Sequence, residues 1–317
     1  MERSSNETTG TTIEGSKEMQ DLTDAEIAQL TTDLRAEQAN ERPLLGPVEP
    51  LDNLLGEYEP KTGYHRKVKR LIEDGWSGIR RSRGDGDCFY RAFIFSLLST
   101  YLRRPAALSA RLLSTFESLL PLLSACGFEE MVWSDFWEPL RDILARMSPE
   151  RKDGGARKDG EPRLGHGELL HLFNDPETNS CIIVHLRLLT SAYLRTHADD
   201  FVPFLFALED DPRFVQGGSS GGGGPPTMEN FCQLHVEPVQ READHLQIVA
   251  LSRALSTPLR IAYLDQSQTF APEGEGEEGG GGAVVNFIEF ECDTAGSDDA
   301  IEGALLYRPG HYDILSR

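Results

Sequence analysis

Cysteine is scarce in this chain and poorly placed for cross-linking. The five thiols, Cys88, Cys126, Cys181, Cys232 and Cys292, are odd in number and widely scattered. No CxxC pair occurs, so neither a zinc site nor a disulfide framework is indicated, and a reducing compartment is expected, cytosol or nucleus. Positive charge is also short. Lys and Arg total 31 against 52 Asp and Glu, a formal net charge of −21. Such a surface disfavours nucleic-acid backbones as partners and favours basic protein surfaces. No apolar run reads as a bilayer span. The first twenty residues are polar and acidic with no apolar h-region, which excludes a secretory signal there.

What is present suits one large domain with tails. Hydrophobic residues make up 39% of the 317, enough for a substantial core. Residues 1–45 read as an acidic disordered tail carrying one amphipathic helix near 23–38. Thr23 and Glu26 there form a capping-box pattern, and Ile27, Leu30 and Leu34 share one face. That helix docks on the domain, docks on a partner, or frays; the sequence leaves all three open. Apolar density rises near Leu51, so the main domain is placed at 46–317. Flexible insertions are expected at 148–165, 217–226 (GGSSGGGGPP) and 272–282 (PEGEGEEGGGG).

Within the domain, 89–102 is apolar on most faces and reads as a buried helix, as does 181–194. Further helices are expected at 108–120, where Pro121 should stop or kink the chain, at 136–147, and at 244–255 behind an Asp244/Gln247 capping box. Stretches 259–263, 284–291, 304–307 and 311–315 are strand-like. Helices first and strands late predict an α+β or mixed α/β domain.

Two segments carry the chemistry. In Arg83-Gly84-Asp85-Gly86-Asp87-Cys88-Phe89 a Gly- and Asp-rich turn runs straight into an apolar helix, with a cysteine at the junction. Glycines let successive N–H groups converge on one small volume, where they can hold an oxyanion. The helix N-terminus favours a thiolate. That is not enough alone: a free thiol of pKa about 8.5 is only ~3% thiolate at pH 7, and a helix end contributes roughly 0.3–1 kcal/mol. A basic partner is required. Tyr307-Arg308-Pro309-Gly310-His311-Tyr312-Asp313 supplies one. Pro309-Gly310 is a turn, and on the strand beyond it His311 and Asp313 share a face, about 7 Å apart. The carboxylate is placed to fix the imidazole and leave its other nitrogen for a thiol. On residues and spacing alone, a cysteine hydrolase and a core cysteine near an unrelated polar strand both stay open.

GDGDCFYRAF resembles the nucleophile motif of the ovarian-tumour (OTU) cysteine proteases, and LLYRPGHYDIL resembles the histidine motif of their otubain branch. VHLRLLTSAYL, FCQLHVEPVQREADHLQIVALSRAL and IAYLD are similar to otubain segments in the same order. The resemblance covers Leu51 to the C-terminus, less the insertions. It implies a papain-like α/β fold, helices around a small central sheet, and cleavage of isopeptide bonds at ubiquitin's C-terminal glycine. Carried onto matching positions, Cys88 is the nucleophile, His311 the general base and acid, and Asp313 the orienting carboxylate. The backbone of Asp85, Gly86 and Asp87, with the Cys88 amide, would build the oxyanion hole. Ubiquitin and polyubiquitin, with a preference for lysine-48 linkage, and ubiquitin-conjugating enzymes bound through the N-terminal region are the implied partners. No metal or organic cofactor is implied.

One departure matters. Asp87 stands where the family usually has Asn. A carboxylate beside the nucleophile opposes the thiolate and the oxyanion, so reduced activity is expected unless Asp87 points to solvent. Together with the N-terminal helix, this motivates a second reading, a weakly active or inactive ubiquitin- or conjugating-enzyme-binding regulator. A third is a papain-like protease acting on another protein. The remaining residues read as structural. His185 is expected to be a satisfied core histidine and His245, after a helix cap, structural; Cys126, Cys181 and Cys232 are inert, and Trp76, Trp133 and Trp137 pack. Phe201, Phe204 and Phe206 form an apolar run that reads as core. Otubain-like enzymes contact the distal ubiquitin near this place, so Phe201 and Phe204 are also candidate contacts.

Overall fold

The computed structural model describes residues 42–148, 163–206, 227–265, 284–292 and 300–317. They belong to one compact unit spanning Arg42–Arg317. The tail with its helix at 23–38 lies outside the described residues. So do the insertions at 217–226 and 272–282 and all but the ends of that at 148–165.

Six strands form a single mixed sheet. In chain order they are β1 (Leu45–Pro50), β2 (Gly78–Ser82), β3 (Leu259–Tyr263), β4 (Asn286–Phe290), β5 (Ala304–Arg308) and β6 (His311–Ser316). The spatial order is β1-β2-β6-β5-β3-β4. Every neighbouring pair is antiparallel except β3 with β5. The four C-terminal strands stand where β-branched and aromatic residues cluster. The two N-terminal ones correct the expectation that strands come only late. β1 carries Gly46, Pro47 and Pro50, and proline cannot donate to a ladder. It is accommodated because β1 is an edge strand whose register slips between Leu45 and Val48.

Strand alternation builds two cores. Leu305 and Tyr312 face a large cluster with Phe89, Phe93, Leu97 and Ile248. Ala304, Leu306 and Leu315 face a smaller one with Leu51, Leu54, Val68, Leu71 and Trp76. The smaller cluster is capped by a 3-10 helix (Leu51–Glu57) and by α1 (Gly63–Glu73). The larger holds α2 (Cys88–Arg103), which is buried at every position from Cys88 to Tyr101. Around α2 lie α3 (Ala106–Ala125), α4 (Glu130–Met147), α5 (His166–Asn174) and α6 (Pro176–Thr196). A third cluster joins the end of α6 to α7 (Ala198–Phe206), α8 (Met228–Phe231), a π-helical turn (Cys232–Val236) and α9 (His245–Ala254). Asp244 and Gln247 close a capping box at the start of α9, as their spacing predicts.

α3 departs from expectation twice. It runs through Pro121 to Ala125. Pro121 and Glu117, whose carbonyl loses its helical partner, are both exposed, so water can replace the lost bond. α3 is also the one described helix long and apolar enough to cross a membrane. Here its Ser109, Leu112, Phe116 and Leu123 are buried in the fold.

Candidate active site

Three chain segments meet at one edge of the core. The turn 83–87 delivers Cys88 to the first position of α2. The β5–β6 hairpin turns at Pro309-Gly310, with Gly310 at φ +74°, which glycine adopts without strain. Its register pairs Arg308 with His311 and Leu306 with Asp313. The segment 236–244, leading into α9, forms the third side.

His311 joins the other two groups. Its Nε2 donates to Asp313 Oδ1 at 2.9 Å. Nδ1 lies 3.3 Å from where a Cβ on Gly84 would stand, so the turn bearing the nucleophile closes directly over the imidazole. Cys88 acts on the same imidazole and favours its protonated form. Burial opposes protonation of this imidazole. The bond to Asp313, the Cys88 side chain and the charge of Asp313 outweigh it and push the pKa up to about 9.

Asp313 is fully buried. Burial works to raise its pKa, yet the pairing with His311, the Arg308 charge and the Ser82 amide hold it below the ordinary carboxylate value. Oδ1 also accepts from Ser82 N at 3.0 Å, and Oδ2 accepts from Arg308 Nη2 at 2.7 Å. Arg308 in turn meets Glu57 Oε2 at 3.1 Å, and Arg81 bridges Glu57 and Glu49. The catalytic-type carboxylate is thereby backed by an ion-pair network running to the 3-10 helix and β1.

The turn before Cys88 is held from two sides. Arg91, one helical turn beyond Cys88, grips Asp85 through Nη1–Oδ1 at 3.0 Å and Nη2–Oδ2 at 2.7 Å. Asp85 Oδ1 also accepts the Asp87 amide at 3.0 Å. The Asp87 N–H is therefore already engaged. The amides of Asp85, Gly86 and Cys88 have no partner among the described residues.

Asp87 takes neither orientation expected of it. Its side chain turns inward, away from solvent, and accepts two bonds from Arg187 at 3.0 and 2.6 Å and one from Gln240 N at 3.0 Å. Its charge is matched by a guanidinium with no exposed surface. Neither Arg91 nor Arg187 was singled out from the sequence. An arginine inside an apolar helical run, as in VHLRLLTSAYL, was the available signal, because a fully buried arginine must have a partner.

Beside Cys88 lies a cleft of about 150 Å³, walled by Glu242, Ala243, Asp244 and His245 and by Tyr263, Tyr307 and Tyr312. His245 contributes to this wall. His185 is completely buried, tilted against Trp137 at 4.9 Å and remote from the cleft, and it is not the satisfied histidine expected, since neither ring nitrogen has a hydrogen-bond partner. Phe201 is 2% exposed and packs in the third core cluster, while Phe204 is 52% exposed. Nothing is described of the Phe206 side chain. Among the described residues no group of three His, Cys, Asp or Glu side chains is arranged to hold a metal ion.

A buried cysteine at a helix N-terminus, faced by a carboxylate-bound histidine from a strand, defines a cysteine peptidase on a mixed α/β scaffold. Residues 37–317 match the family model described as Peptidase C65 Otubain, and the chain belongs to this family of cysteine deubiquitinases. It is 33% identical to the human protein "Ubiquitin thioesterase OTUB1" over 283 residues, 89% of this chain and 86% of the relative. It is 32% identical to "OVARIAN TUMOR DOMAIN-containing deubiquitinating enzyme 1" of Arabidopsis thaliana, over 88% of this chain and 82% of the relative. Among solved structures, the fold matches "The structure of h/ceOTUB1-ubiquitin aldehyde-UBC13~Ub" with a TM-score of 0.67 and 26% identity, covering 92% of this chain and 97% of that one. The protein is a thiol-dependent ubiquitin thioesterase.

Proposed function

We propose that Cys88, His311 and Asp313 carry out the hydrolysis. The observation that supports this reading is that His311, bound to Asp313 at 2.9 Å, packs with its Nδ1 against the turn that carries Cys88. Cys88 Sγ attacks the carbonyl carbon of ubiquitin's C-terminal glycine. Charge moves onto the carbonyl oxygen, which the amides of Cys88, Gly86 and Asp85 receive. Collapse breaks the C–N bond, and His311 Nδ1 gives its proton to the departing lysine amine. Water, deprotonated by His311, then attacks the thioester and frees the thiol. Asp87 is left out of the oxyanion set because its amide is bound to Asp85. Its inward ion pair also removes the main reason for expecting weak activity.

The test is intact-mass spectrometry with a ubiquitin C-terminal electrophilic probe. One adduct, mapped to Cys88, lost in Cys88→Ala and weakened in His311→Ala, is expected. A Cys88→Ala protein that still cleaves diubiquitin overturns the assignment.

Three finer readings belong with it. Preference for lysine-48 linkages follows the resemblance and is tested by cleavage of the eight diubiquitin isomers side by side. A relative's solved complexes contain UBC13~Ub and UBCH5B~Ub. They support a second role here, binding of a charged conjugating enzyme, with exposed Phe204 as a candidate ubiquitin contact. Titration of Phe204→Ala with ubiquitin checks the contact. A cytoplasmic and nuclear location fits the scattered thiols, and fractionation of cells expressing the tagged chain tests it.

A further inference from the structure

Arg187 projects from the middle of α6 into the back of the nucleophile turn, a hundred residues away in sequence. It has no exposed surface and lies over the Tyr90 ring at 4.6 Å. Its donors reach two places at once. Nε and Nη2 hold Asp87 Oδ1, and Nη2 also meets the Gly86 carbonyl at 3.2 Å. Nη1 and Nη2 hold the carbonyls of Val236 at 3.0 Å and Arg241 at 2.6 Å. One side chain thus ties the oxyanion turn to the segment that becomes the cleft wall at 242–245.

The Gly86 contact is the informative one. Gly86 has φ +84°, and a Cβ there would stand 2.3 Å from the Gln240 carbonyl oxygen. Only glycine fits, and glycine leaves the Gly86–Asp87 peptide free to rotate. In one orientation its carbonyl faces Arg187 and its N–H faces Asp85 Oδ1, as observed. In the flipped orientation that carbonyl leaves Arg187 and faces the Asp85 carboxylate, so both contacts are lost and the turn that carries the Gly86 and Cys88 amides is no longer fixed. Gln240 is itself held at φ +59°, unusual for a non-glycine residue, by its bond to Asp87 Oδ1. Remove the Arg187–Asp87 pair and the two halves are no longer tied to each other, with only Arg91–Asp85 left to hold the turn.

We infer that Arg187 is a positioning residue for the hydrolysis. Through Asp87 and the Gly86 carbonyl, it locks the oxyanion turn in its receptive orientation and fixes the cleft wall against it. The inference rests on the Cys88 mechanism proposed above. It assigns Asp87 the job of linking Arg187 to Gln240, which an asparagine Oδ1 could also do and alanine could not.

Three readouts on the full chain separate this role from general destabilisation. Turnover of a ubiquitin C-terminal fluorogenic amide reports kcat and KM. Affinity for ubiquitin aldehyde reports the oxyanion site, since its hemithioacetal oxygen sits there. Alkylation by iodoacetamide reports the thiol alone, with no oxyanion formed. In Arg187→Met, kcat should fall roughly 10²-fold, the loss typical of one oxyanion donor. Aldehyde affinity should fall in parallel, with KM and the alkylation rate within about two-fold. Asp87→Ala should behave the same way, and Asp87→Asn should keep kcat within several-fold of wild type. Thermal melts establish that each variant is folded. If Arg187→Met does not fold, Arg187→Lys and Asp87→Ala are read by the same three measures. A folded Arg187→Met or Asp87→Ala protein with unchanged kcat overturns the inference. So does one whose alkylation rate falls together with kcat. Either result leaves Cys88 as nucleophile; only the Cys88→Ala experiment decides that.

Discussion

Asp313 is a carboxylate with no exposed surface, and such a group persists in ionised form only when paired and hydrogen-bonded. Here Arg308, Ser82 N and His311 all bind it. The result is passed to His311, whose pKa stands at about 9 against an ordinary value of 6.5. The sign follows. Proton binding to His311 favours the folded site, fully so below the unfolded value of 6.5, and that contribution disappears as pH rises through about 9. The imidazolium that protonates the leaving amine is therefore present across the neutral range. The alkaline limb of kcat/KM is expected near pH 9 in the wild type, as an apparent value of the Cys–His pair. Asp313→Asn removes the charge and should lower kcat by at least ~10²-fold and move that limb towards neutrality. A pH–rate profile of both proteins checks it; an unmoved limb means that Asp313 does not set the proton affinity of His311.

At the scale of elements, α6 carries a liability as well as an anchor. His185 is wholly buried among Trp137 and Phe116, with neither ring nitrogen partnered. Burial drives its pKa down to about 3. The unfolded chain therefore takes up a proton near pH 6.5 that the folded chain refuses, and stability falls as pH drops from there. At pH 5 the loss relative to neutral pH is about 2 kcal/mol. Urea unfolding of wild type and His185→Leu at pH 7 and pH 5 tests this: the variant should lose that part of the pH dependence. Equal slopes would show that His185 escapes to solvent before it titrates. The same helix shows where sequence reading reached its limit. The buried character of α2 and α6 and the positions of β3, β5 and β6 were legible, because local apolar pattern and turn residues specify them. β1 and β2 were not, since Pro47, Pro50, Arg80 and Arg81 hide a strand whose pairing is long-range. Cys88, His311 and Asp313 could be named from two short motifs. The placing of Arg187 could not, because it is fixed by Asp87, a partner a hundred residues away. For the same reason the fate of the Asp87 charge was misjudged.

For the molecule as a whole, the described site residues all come from Arg42–Arg317. Cys88 comes from the start of the central helix, His311 and Asp313 from a strand at the middle of the sheet, and the cleft wall from the approach to α9. Every described contact to these residues, including the Arg308–Glu57–Arg81–Glu49 network and the Arg187 clamp, also falls inside that unit. Tolerance to truncation follows from where a segment's contacts lie. With the nucleophile, the histidine and its carboxylate all supplied by Arg42–Arg317, removal of residues 1–41 is expected to leave kcat/KM on the ubiquitin fluorogenic amide within about two-fold. Binding of a charged conjugating enzyme gives the complementary measurement. If truncation abolishes that binding while hydrolysis persists, the chain divides its work between a self-sufficient catalytic unit and a separate partner-binding tail. If hydrolysis falls more than about ten-fold in a truncated protein that still melts cooperatively, residues 1–41 act on the hydrolytic step itself, and the catalytic unit is not self-sufficient.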